Sequence, residues 1–399
     1  MTRHSIVLAL AACFAQATAV HAAEPLKLGA LVPITGAGAL GESAQVAVEL
    51  AVKHINEKGG IAGRPVTLML ADYQTDATIS VAEANRLLHQ AKVDLVVGPT
   101  YSQATLAVLP LLSRSSMFSI NMSGTEKLTP TVAPYSFSLL ANTSTQAKRM
   151  TQNAIDNFKP KTAAIISDNG AQAKTFVAAL KTELEQAGIE LKGTQEYVYN
   201  SKDVTPQLLA LRRLSPDVLF LFTSTGDDTA NVLQSRKQLG WDVPVSGSAG
   251  VSLANQTLAA GGKEAFKNVA ALGYAGFAFC PGTPRREALT RFVDSVKAAK
   301  PDAYQRYPLS YMAGWYDAVF IMKAAVEGSG GKTDGPTLAK WVEKNVSNFQ
   351  GVNIGLSASA ENHFAIGPDA LTAIRPETLD EYGSQERTAC AAPGGKSKS

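Results

Sequence analysis

The chain has 399 residues, with 37 Lys or Arg against 34 Asp or Glu, and its formal net charge is +3. A charged fraction of 18% beside a hydrophobic fraction of 45% argues against a disordered protein. The near-neutral charge argues against a nucleic-acid-binding protein, and three cysteines are too few for a disulfide-rich scaffold. A folded α/β protein of more than one domain fits these numbers.

Residues 1–22 have the pattern of a secretory signal peptide. Arg3 supplies a positive start, residues 6–19 are mostly apolar, and Val20-His21-Ala22 fits the positions that a signal peptidase reads. The apolar run is too short for a membrane-spanning helix. An alternative is Leu10-Ala11-Ala12-Cys13, which fits the pattern before a lipidated cysteine and would anchor the protein at a membrane. We rank this alternative second, because the sequence after Cys13 stays apolar where a polar tether would be expected.

From residue 26 onward, short apolar runs alternate with amphipathic segments. The first series alternates strand and helix over residues 26–34, 43–57, 66–71, 80–90, 93–97, 105–112 and 117–120. The second alternates strand and helix over 162–166, 173–187, 218–222, 229–239 and 243–246. Helices are further predicted at 289–300 and 311–326. This alternation predicts two parallel sheets covered by helices, and the apolar strands predict burial on both faces.

The sequence after residue 273 has too few predicted strands for a third domain. We expect it to return and complete the first two. The last residues are rich in Gly, Lys and Ser, so a disordered tail is predicted over 389–399.

Motifs for metal binding or hydrolysis are weak. His54, His89 and His363 stand alone, and Ser246-Gly247-Ser248-Ala249-Gly250 lacks the first glycine of a nucleophile elbow. We therefore expect no metal, no cofactor and no enzymatic activity. Cys280 and Cys390 are either a disulfide, which export would allow, or two isolated thiols.

One glycine motif favours a different class of protein. Gly36-Ala37-Gly38-Ala39-Leu40-Gly41 spells the dinucleotide-binding fingerprint, and Asp72 follows the next strand. However, Pro33-Ile34-Thr35 separates the strand from the first glycine, and Asp72 lies about ten residues beyond the usual spacing of roughly 20. The favoured interpretation is a flexible glycine loop, and an exported dinucleotide-dependent enzyme is a minor alternative.

Two predicted loops at the carboxyl ends of strands, 98–102 and 121–125, are rich in hydroxyl groups and small residues. Open α/β sheets bind ligands at this edge. Ser102 lies where a helix N-terminus offers free N–H groups and a positive dipole end, which suit a carboxylate. The alternative is that Ser102 and Thr125 are ordinary helix N-caps.

These segments resemble the branched-chain amino-acid-binding proteins of bacterial ABC transporters, and the resemblance covers nearly the whole chain after residue 22. Residues 28–36 resemble the family's first strand and loop, and 56–63, NEKGGIAG, resemble its most specific signature. Val97-Gly98-Pro99 with Ser102, and Ser123-Gly124-Thr125, resemble its carboxylate-anchoring loops. Residues 315–318, WYDA, resemble a late helix of the family.

The resemblance implies a type I periplasmic binding protein with two doubly wound parallel-sheet lobes joined by three crossover segments. The expected N-terminal lobe is 24–141 plus 273–347, and the expected C-terminal lobe is 142–272 plus 348–388. A small carboxylate would be held between the lobes of a monomer. The implied partners are an inner-membrane ABC permease and its ATPase, with no nucleic acid.

The resemblance also implies roles for single residues. Ser102 would give its hydroxyl and N–H to the ligand carboxylate, and Thr125 would add donors to the same group. Ser123 would offer its backbone carbonyl to an ammonium group, and Tyr311 would place its ring on the ligand side chain.

Departures from the family pattern concern the ammonium end of the ligand. Ala249 stands where amino-acid-binding members carry a glutamate. Three aromatic positions of the family's pocket correspond to Leu40, Gln172 and Ser224, and the family's short disulfide corresponds to Thr75 and Tyr101. A buried ammonium without a carboxylate partner is costly, so a carboxylate lacking an α-amino group is implied. Asp168, Asp227 and Asp228 are the alternative sources of the missing charge.

The function implied is that of a periplasmic binding protein that closes on its ligand and delivers it to a permease. The alternative is a ligand sensor that reports to a signalling partner.

Overall fold

The computed structural model describes residues 24–253 and 262–390, and these form two sheets. The first is parallel with the order β2-β1-β3-β4-β5. Its strands are β1 Leu26–Val32, β2 Val66–Asp72, β3 Leu95–Thr100, β4 Ser119–Met122 and β5 Ser136–Ser138. We call this sheet and the helices packed on it the first lobe.

The second sheet has the order β11-β13-β12-β10-β9-β8-β6-β7. Its strands are β6 Thr162–Asp168, β7 Glu190–Tyr197, β8 Val218–Phe222, β9 Val245–Gly247, β10 Val269–Tyr274, β11 Ala278–Phe279, β12 Leu371–Leu379 and β13 Gln385–Arg387. The central strand β8 reads VLFLF with every residue buried, as expected for a strand covered on both faces. This sheet and its helices form the second lobe.

Helices connect and cover the strands. They are α1 Ala39–Glu57, α2 Ala77–Asn85 with a π-helical continuation Arg86–Ala91, α3 Ser102–Arg114, α4 Thr143–Phe158, α5 Ala171–Gln186, α6 Thr205–Arg212, α7 Gly226–Gln238, α8 Glu287–Ala299, α9 Ala303–Arg306, α10 Leu309–Gly328 and α11 Gly335–Asn345. Several begin at a side chain that accepts from the first-turn amides, as Asp76 does for α2 and Asn142 for α4.

The return of the chain makes the second sheet mixed. Strand β12 pairs antiparallel with both β10 and β13, whereas the expectation was a wholly parallel sheet. The reason is topological: β12 is entered after a long excursion through the first lobe and not through a βαβ crossover, which is the connection that enforces parallel pairing.

The lobe boundaries also differ from those expected. Strand β11 belongs to the second sheet, although 273–347 was assigned to the first lobe. Conversely, Ser138 of β5 exchanges backbone hydrogen bonds with His363 and Ala365, so this segment lies beside the first sheet and not in the second lobe. The second and third crossovers therefore follow β11 and residue 365.

Cys280 and Cys390 form a disulfide with a Cα–Cα distance of 5.7 Å, which decides between the two alternatives for these cysteines. Cys390 is thereby fixed, so the tail predicted from residue 389 begins too early, and its remainder, 391–399, lies outside the described residues. The signal peptide predicted over 1–22 and Cys13 also lie outside them. Within the described ranges, no helix is long and apolar enough to cross a membrane.

Candidate ligand-binding cleft

A cavity of about 440 Å³ lies between the lobes and takes residues from both. Seven predicted site residues line it: Leu40, Tyr101, Ser102, Gln172, Ser224, Ala249 and Tyr311. Among the residues that the structure describes, none lining this cavity is Asp, Glu, Lys, Arg or His. The walls therefore recognise a ligand through hydroxyls, amides, backbone groups and apolar surface.

The first-lobe wall is built around the N-terminus of α3. Ser102 is the first residue of this helix, and Tyr101 before it has a φ of +46° and makes no side-chain capping bond. The first-turn amides of a helix have no intrahelical partner and carry the positive end of its dipole. Because Tyr101, Ser102 and Gln103 all line the cavity, this helix end is available to an anionic ligand group.

Ser123 and Thr125 lie behind that wall and do not line the cavity. Ser123 is 1% exposed, and its hydroxyl is 2.9 Å from that of Ser102. Its carbonyl already accepts the hydroxyl of Ser138 at 2.7 Å, so the predicted offer of this carbonyl to a ligand ammonium is not supported. Thr125 is fully buried, and its hydroxyl has no hydrogen-bond partner in the described part of the chain. Strand β4 runs to Met122, which lines the cavity, and Ser123 and Thr125 follow it in the chain.

A second helix N-terminus meets the cavity from the second lobe. Gly170 is the N-cap of α5 and supplies no side chain, so the first-turn amides of α5 are also left uncapped. Asn169, Gly170 and Gln172 all line the cavity. The N-terminus of α3 thus gives the cavity an electrostatic preference for negative charge, and at the N-terminus of α5 the nearby carboxylate of Asp168, which accepts the Gly170 amide, offsets this preference.

The acidic residues considered as a substitute charge do not reach the cavity. Asp168 and Asp228 are buried behind the second-lobe wall, and Asp227 is exposed on α7. Asp168 accepts the hydroxyl of Ser224 and the amide of Gly170, both at 2.8 Å, while burial raises the pKa of its carboxyl. Burial and the nearby Asp168 raise the pKa of Asp228 to about 6. Asp168 therefore contacts the cavity lining from behind, through Ser224 and Gly170.

Apolar and aromatic side chains form the rest of the lining. Leu40, Leu140, Phe222, Tyr274 and Tyr311 surround a space suited to a hydrocarbon or ring. Burial raises the pKa of Tyr311 to about 12, so this phenol stays neutral. The ring predicted at Tyr311 is therefore on the cavity wall.

Tyr199 was missed by the sequence analysis. Its hydroxyl is 3.2 Å from that of Tyr101, and the two rings meet edge to face with centroids 6.3 Å apart. It follows the carboxyl end of β7, which is the edge where ligands bind. Predicting β7 as a strand would have identified this position.

The glycine motif has a structural role. The carboxylate of Asp72 accepts the Thr35 hydroxyl at 2.6 Å, the Thr35 amide at 3.2 Å and the Gln74 amide at 3.0 Å. It thereby fixes the loop before α1. This use of Asp72 disfavours the dinucleotide interpretation, in which the same carboxylate would hold a ribose.

Comparisons with known proteins identify the family. Residues 25–377 match the family described as "Periplasmic binding protein". A Leu/Ile/Val-binding protein of Rhizobium johnstonii is 26% identical over 346 residues, which are 85% of this chain and 88% of the relative. The predicted family is thereby confirmed.

Solved structures agree with the predicted type I fold. A type 1 periplasmic binding protein from Bordetella pertussis superposes with a TM-score of 0.77 at 24% identity, covering 88% of this chain and 96% of the other. An ABC-transporter solute-binding protein from Rhodopseudomonas palustris, in complex with 3,4-dihydroxybenzoic acid, gives a TM-score of 0.72 at 19% identity, with coverage of 90% and 95%.

Proposed function

The chain belongs to the periplasmic binding protein family, and on this basis we propose that it captures a small carboxylate without an ammonium group for an ABC importer. The ligand is held between the lobes, its carboxylate at the N-terminus of α3 and its hydrocarbon part against the apolar lining. The protein then delivers the ligand, on the periplasmic side of the inner membrane, to a permease that is driven by its ATPase.

The observation that carries this proposal is the uncharged lining. A carboxylate is stabilised there by hydroxyls and by the N-terminus of α3. An ammonium group would find no carboxylate on the wall, and leaving a buried charge unpaired is costly. Ala249, where the resembling amino-acid binders carry a glutamate, lies on this lining.

The second candidate is an α-amino acid. It is favoured by the name of the Rhizobium relative and by Asp168, whose charge lies directly behind Ser224. The Rhodopseudomonas protein, in contrast, holds an aromatic acid that has no amino group. Both candidates share the carboxylate and differ only in the ammonium.

Matched ligand pairs separate the two candidates. Ligand-stripped, refolded protein is titrated calorimetrically with 4-methylpentanoate against leucine, and with 3-phenylpropanoate against phenylalanine. Each pair shares its carbon skeleton and differs by the ammonium. We expect binding, and a thermal shift, only with the acids that lack it, since ligand at 100 times Kd stabilises the fold by about 2.7 kcal/mol. Stronger binding of leucine or phenylalanine contradicts the proposal.

A substitution locates the carboxylate. Ser102→Ala removes the hydroxyl at the start of α3, and we expect at least a tenfold loss of affinity, since a hydrogen bond to a charged group is worth about 1.5–3 kcal/mol. Ser115→Ala, an exposed serine at the C-terminal end of the same helix, is the matched control and should leave affinity unchanged. Equal affinities for the two variants would place the carboxylate elsewhere.

Transport is distinguished from sensing by uptake. Deleting the gene should abolish uptake of the bound acid by intact cells. Unchanged uptake with a lost transcriptional response would favour the sensor.

A further inference from the structure

We propose that Ser224 recognises a hydrogen-bond donor on the part of the ligand remote from its carboxylate, so that the preferred ligand is a hydroxylated acid. Asp168 is the positioning residue, because it holds the hydroxyl proton of Ser224 away from the ligand. This inference rests on the proposed function and names the chemistry of the ligand's second end.

The argument begins with the proton of Ser224. A serine hydroxyl has one proton to donate and two lone pairs to accept with. The Ser224 hydroxyl donates to Oδ2 of Asp168 at 2.8 Å, while the amide of Gly170 donates to Oδ1, also at 2.8 Å. An ionised carboxylate only accepts, so the direction of the Ser224 bond is fixed. What Ser224 can still offer the cavity that it lines is a lone pair.

The neighbouring hydroxyl on this wall, that of Thr223, also bonds to a group behind the lining. Thr229 donates its hydroxyl proton to the carbonyl of Thr225 at 3.0 Å. The hydroxyl of Thr223 lies 2.6 Å from that of Thr229, and it donates to Thr229 whenever Thr229 keeps its bond to Thr225. Thr223 also lines the cavity, and in that arrangement it presents an acceptor beside Ser224.

This wall belongs to the second lobe, and the anchor at Ser102 belongs to the first. A ligand that spans the cavity therefore meets donors at Ser102 and a hydroxyl acceptor at Ser224. A hydroxyl group on the ligand satisfies Ser224, whereas an ether or a halogen placed against it leaves lone pairs facing lone pairs. Such a ligand binds more weakly, because polar groups on the ligand and on the cavity wall both remain unpaired.

The test compares acids that differ only in the group at the far end. Wild-type protein is titrated with 4-hydroxybenzoate against 4-fluorobenzoate, and with the corresponding phenylacetates and 3-phenylpropanoates, so that three ligand lengths are sampled. In the length that fits, we expect the hydroxy acid to bind about three- to tenfold more tightly than the fluoro acid. Equal affinities at all three lengths overturn the inference.

Substitutions test whether Ser224 causes the preference for the hydroxy acid. Ser224→Ala should bring the hydroxy and fluoro acids to equal affinity, because the hydroxy acid loses its hydrogen-bond acceptor and the fluoro acid no longer faces the lone pairs of Ser224. Ser201→Ala, a serine of the same lobe outside the lining, should keep the preference. A preference that survives Ser224→Ala overturns the inference.

Asp168→Asn tests the positioning role. The asparagine amide can donate to the Ser224 oxygen and release its hydroxyl proton toward the cavity. We expect the acceptor-only 4-methoxy acid to gain affinity relative to the hydroxy acid in this variant, a reversal that mere loosening of the wall does not produce. If no acid of the panel binds the wild type, the proposed function fails; if the acids bind without preference, only this inference fails.

Discussion

Ala249 lies on the cavity lining, and its proposed role in excluding an ammonium group can be tested by adding a charge there. Introducing Ala249→Glu places a carboxylate on a lining that holds no acidic side chain in the described part of the chain. Two like charges about 6 Å apart at an effective dielectric of about 20 repel by ~3 kcal/mol. We expect a loss of affinity on the order of a hundredfold for 3-phenylpropanoate and a gain for phenylalanine, both measured by calorimetry.

Ala249→Gln is the control for size. It is nearly as large as the glutamate variant and carries no charge, so it should reduce both affinities alike. If the glutamine variant separates the two ligands as well as the glutamate variant does, steric exclusion and not charge explains the selectivity.

Asp228 makes stability depend on pH. Its carboxyl accepts the Asn200 amide at 3.1 Å, and burial, Asp168 and Asp227 raise its pKa to about 6, above the ordinary value of about 3.9. The folded protein therefore binds more protons than the unfolded chain between these values, so stability present below about pH 4 is lost as the pH rises to about 6. Asp228→Asn should remove this loss.

The measurement is chemical denaturation of both proteins from pH 4 to pH 7. Relative to wild type, Asp228→Asn should gain about 2 kcal/mol of unfolding free energy across this range. Asp227→Asn, exposed at the neighbouring position on α7, removes only the smallest of the named causes that raise the pKa of Asp228, so it should keep most of the wild-type pH dependence. A constant difference between Asp228→Asn and wild type would mean that the carboxyl ionises alike in both states.

The position of a site residue could be predicted from the sequence only where the local pattern determines where the strand ends and the helix begins. Ser102 was predicted because a glycine- and proline-containing strand end leads directly into a helix, and the structure places it on the cavity wall. Ser123 and Thr125 were predicted from the same kind of loop, but β4 ends at Met122, two residues after the predicted end, and both residues lie behind the wall. Strand ends are set by pairing with neighbours, which local pattern does not contain.

The Cys280–Cys390 disulfide secures the edge of the second sheet. Cys280 follows β11 and Cys390 follows β13, and these two-residue and three-residue strands pair with each other. Strands this short gain little from their own hydrogen bonds. We expect Cys280→Ser with Cys390→Ser to cost about 2–4 kcal/mol of unfolding free energy, measured by denaturation.

Reduction of the wild type provides the comparison. Dithiothreitol should lower the thermal midpoint of the wild type to that of the double variant and leave the double variant itself unchanged. Equal midpoints for oxidised wild type and double variant would show that the bond constrains only an already ordered edge.

Helices and strands with a strong apolar pattern were predicted from the sequence, and those with a weak pattern were missed. Helix α4 was missed because its buried face is made largely of small and polar residues such as Ala147, Thr151 and Gln146. Strand β7, reading ELKGTQEY, was missed because it is a half-exposed edge strand, where charged side chains replace the apolar run. Antiparallel β12 required knowledge of a partner formed about a hundred residues earlier, which no local window contains.

Hydrogen bonds tie residues 351–353, which precede the third crossover, to the chain after the second crossover and to α10. Arg286, after the second crossover, donates to the carbonyl of Gly351 at 3.0 Å. Buried Asp317 of α10 accepts the amides of Val352 at 3.1 Å and Asn353 at 2.7 Å. These bonds hold the connecting segments against the first lobe, so opening of the cleft concentrates in the few residues between them and the second sheet.

Across the cleft, Tyr101 and Tyr199 join the lobes directly, through one hydroxyl–hydroxyl bond and an edge-to-face ring contact. Such a contact biases the empty protein toward the closed state, so less of a ligand's binding energy is spent on closure. Removing it with Tyr199→Ala should open the empty protein, weaken binding and enlarge the ligand-induced decrease in radius of gyration measured by X-ray scattering.

Tyr199→Phe separates the contribution of the hydroxyl–hydroxyl bond from that of the ring packing. It keeps the ring packing and loses the hydroxyl bond, so its affinity should lie between those of the wild type and Tyr199→Ala, with a loss of about two- to tenfold. Because a residue that touched only the ligand would change affinity without changing the empty protein, the decisive quantity is the radius of gyration before ligand is added. A Tyr199→Ala protein as compact as the wild type when empty would assign Tyr199 to ligand contact alone and leave lobe closure to the ligand.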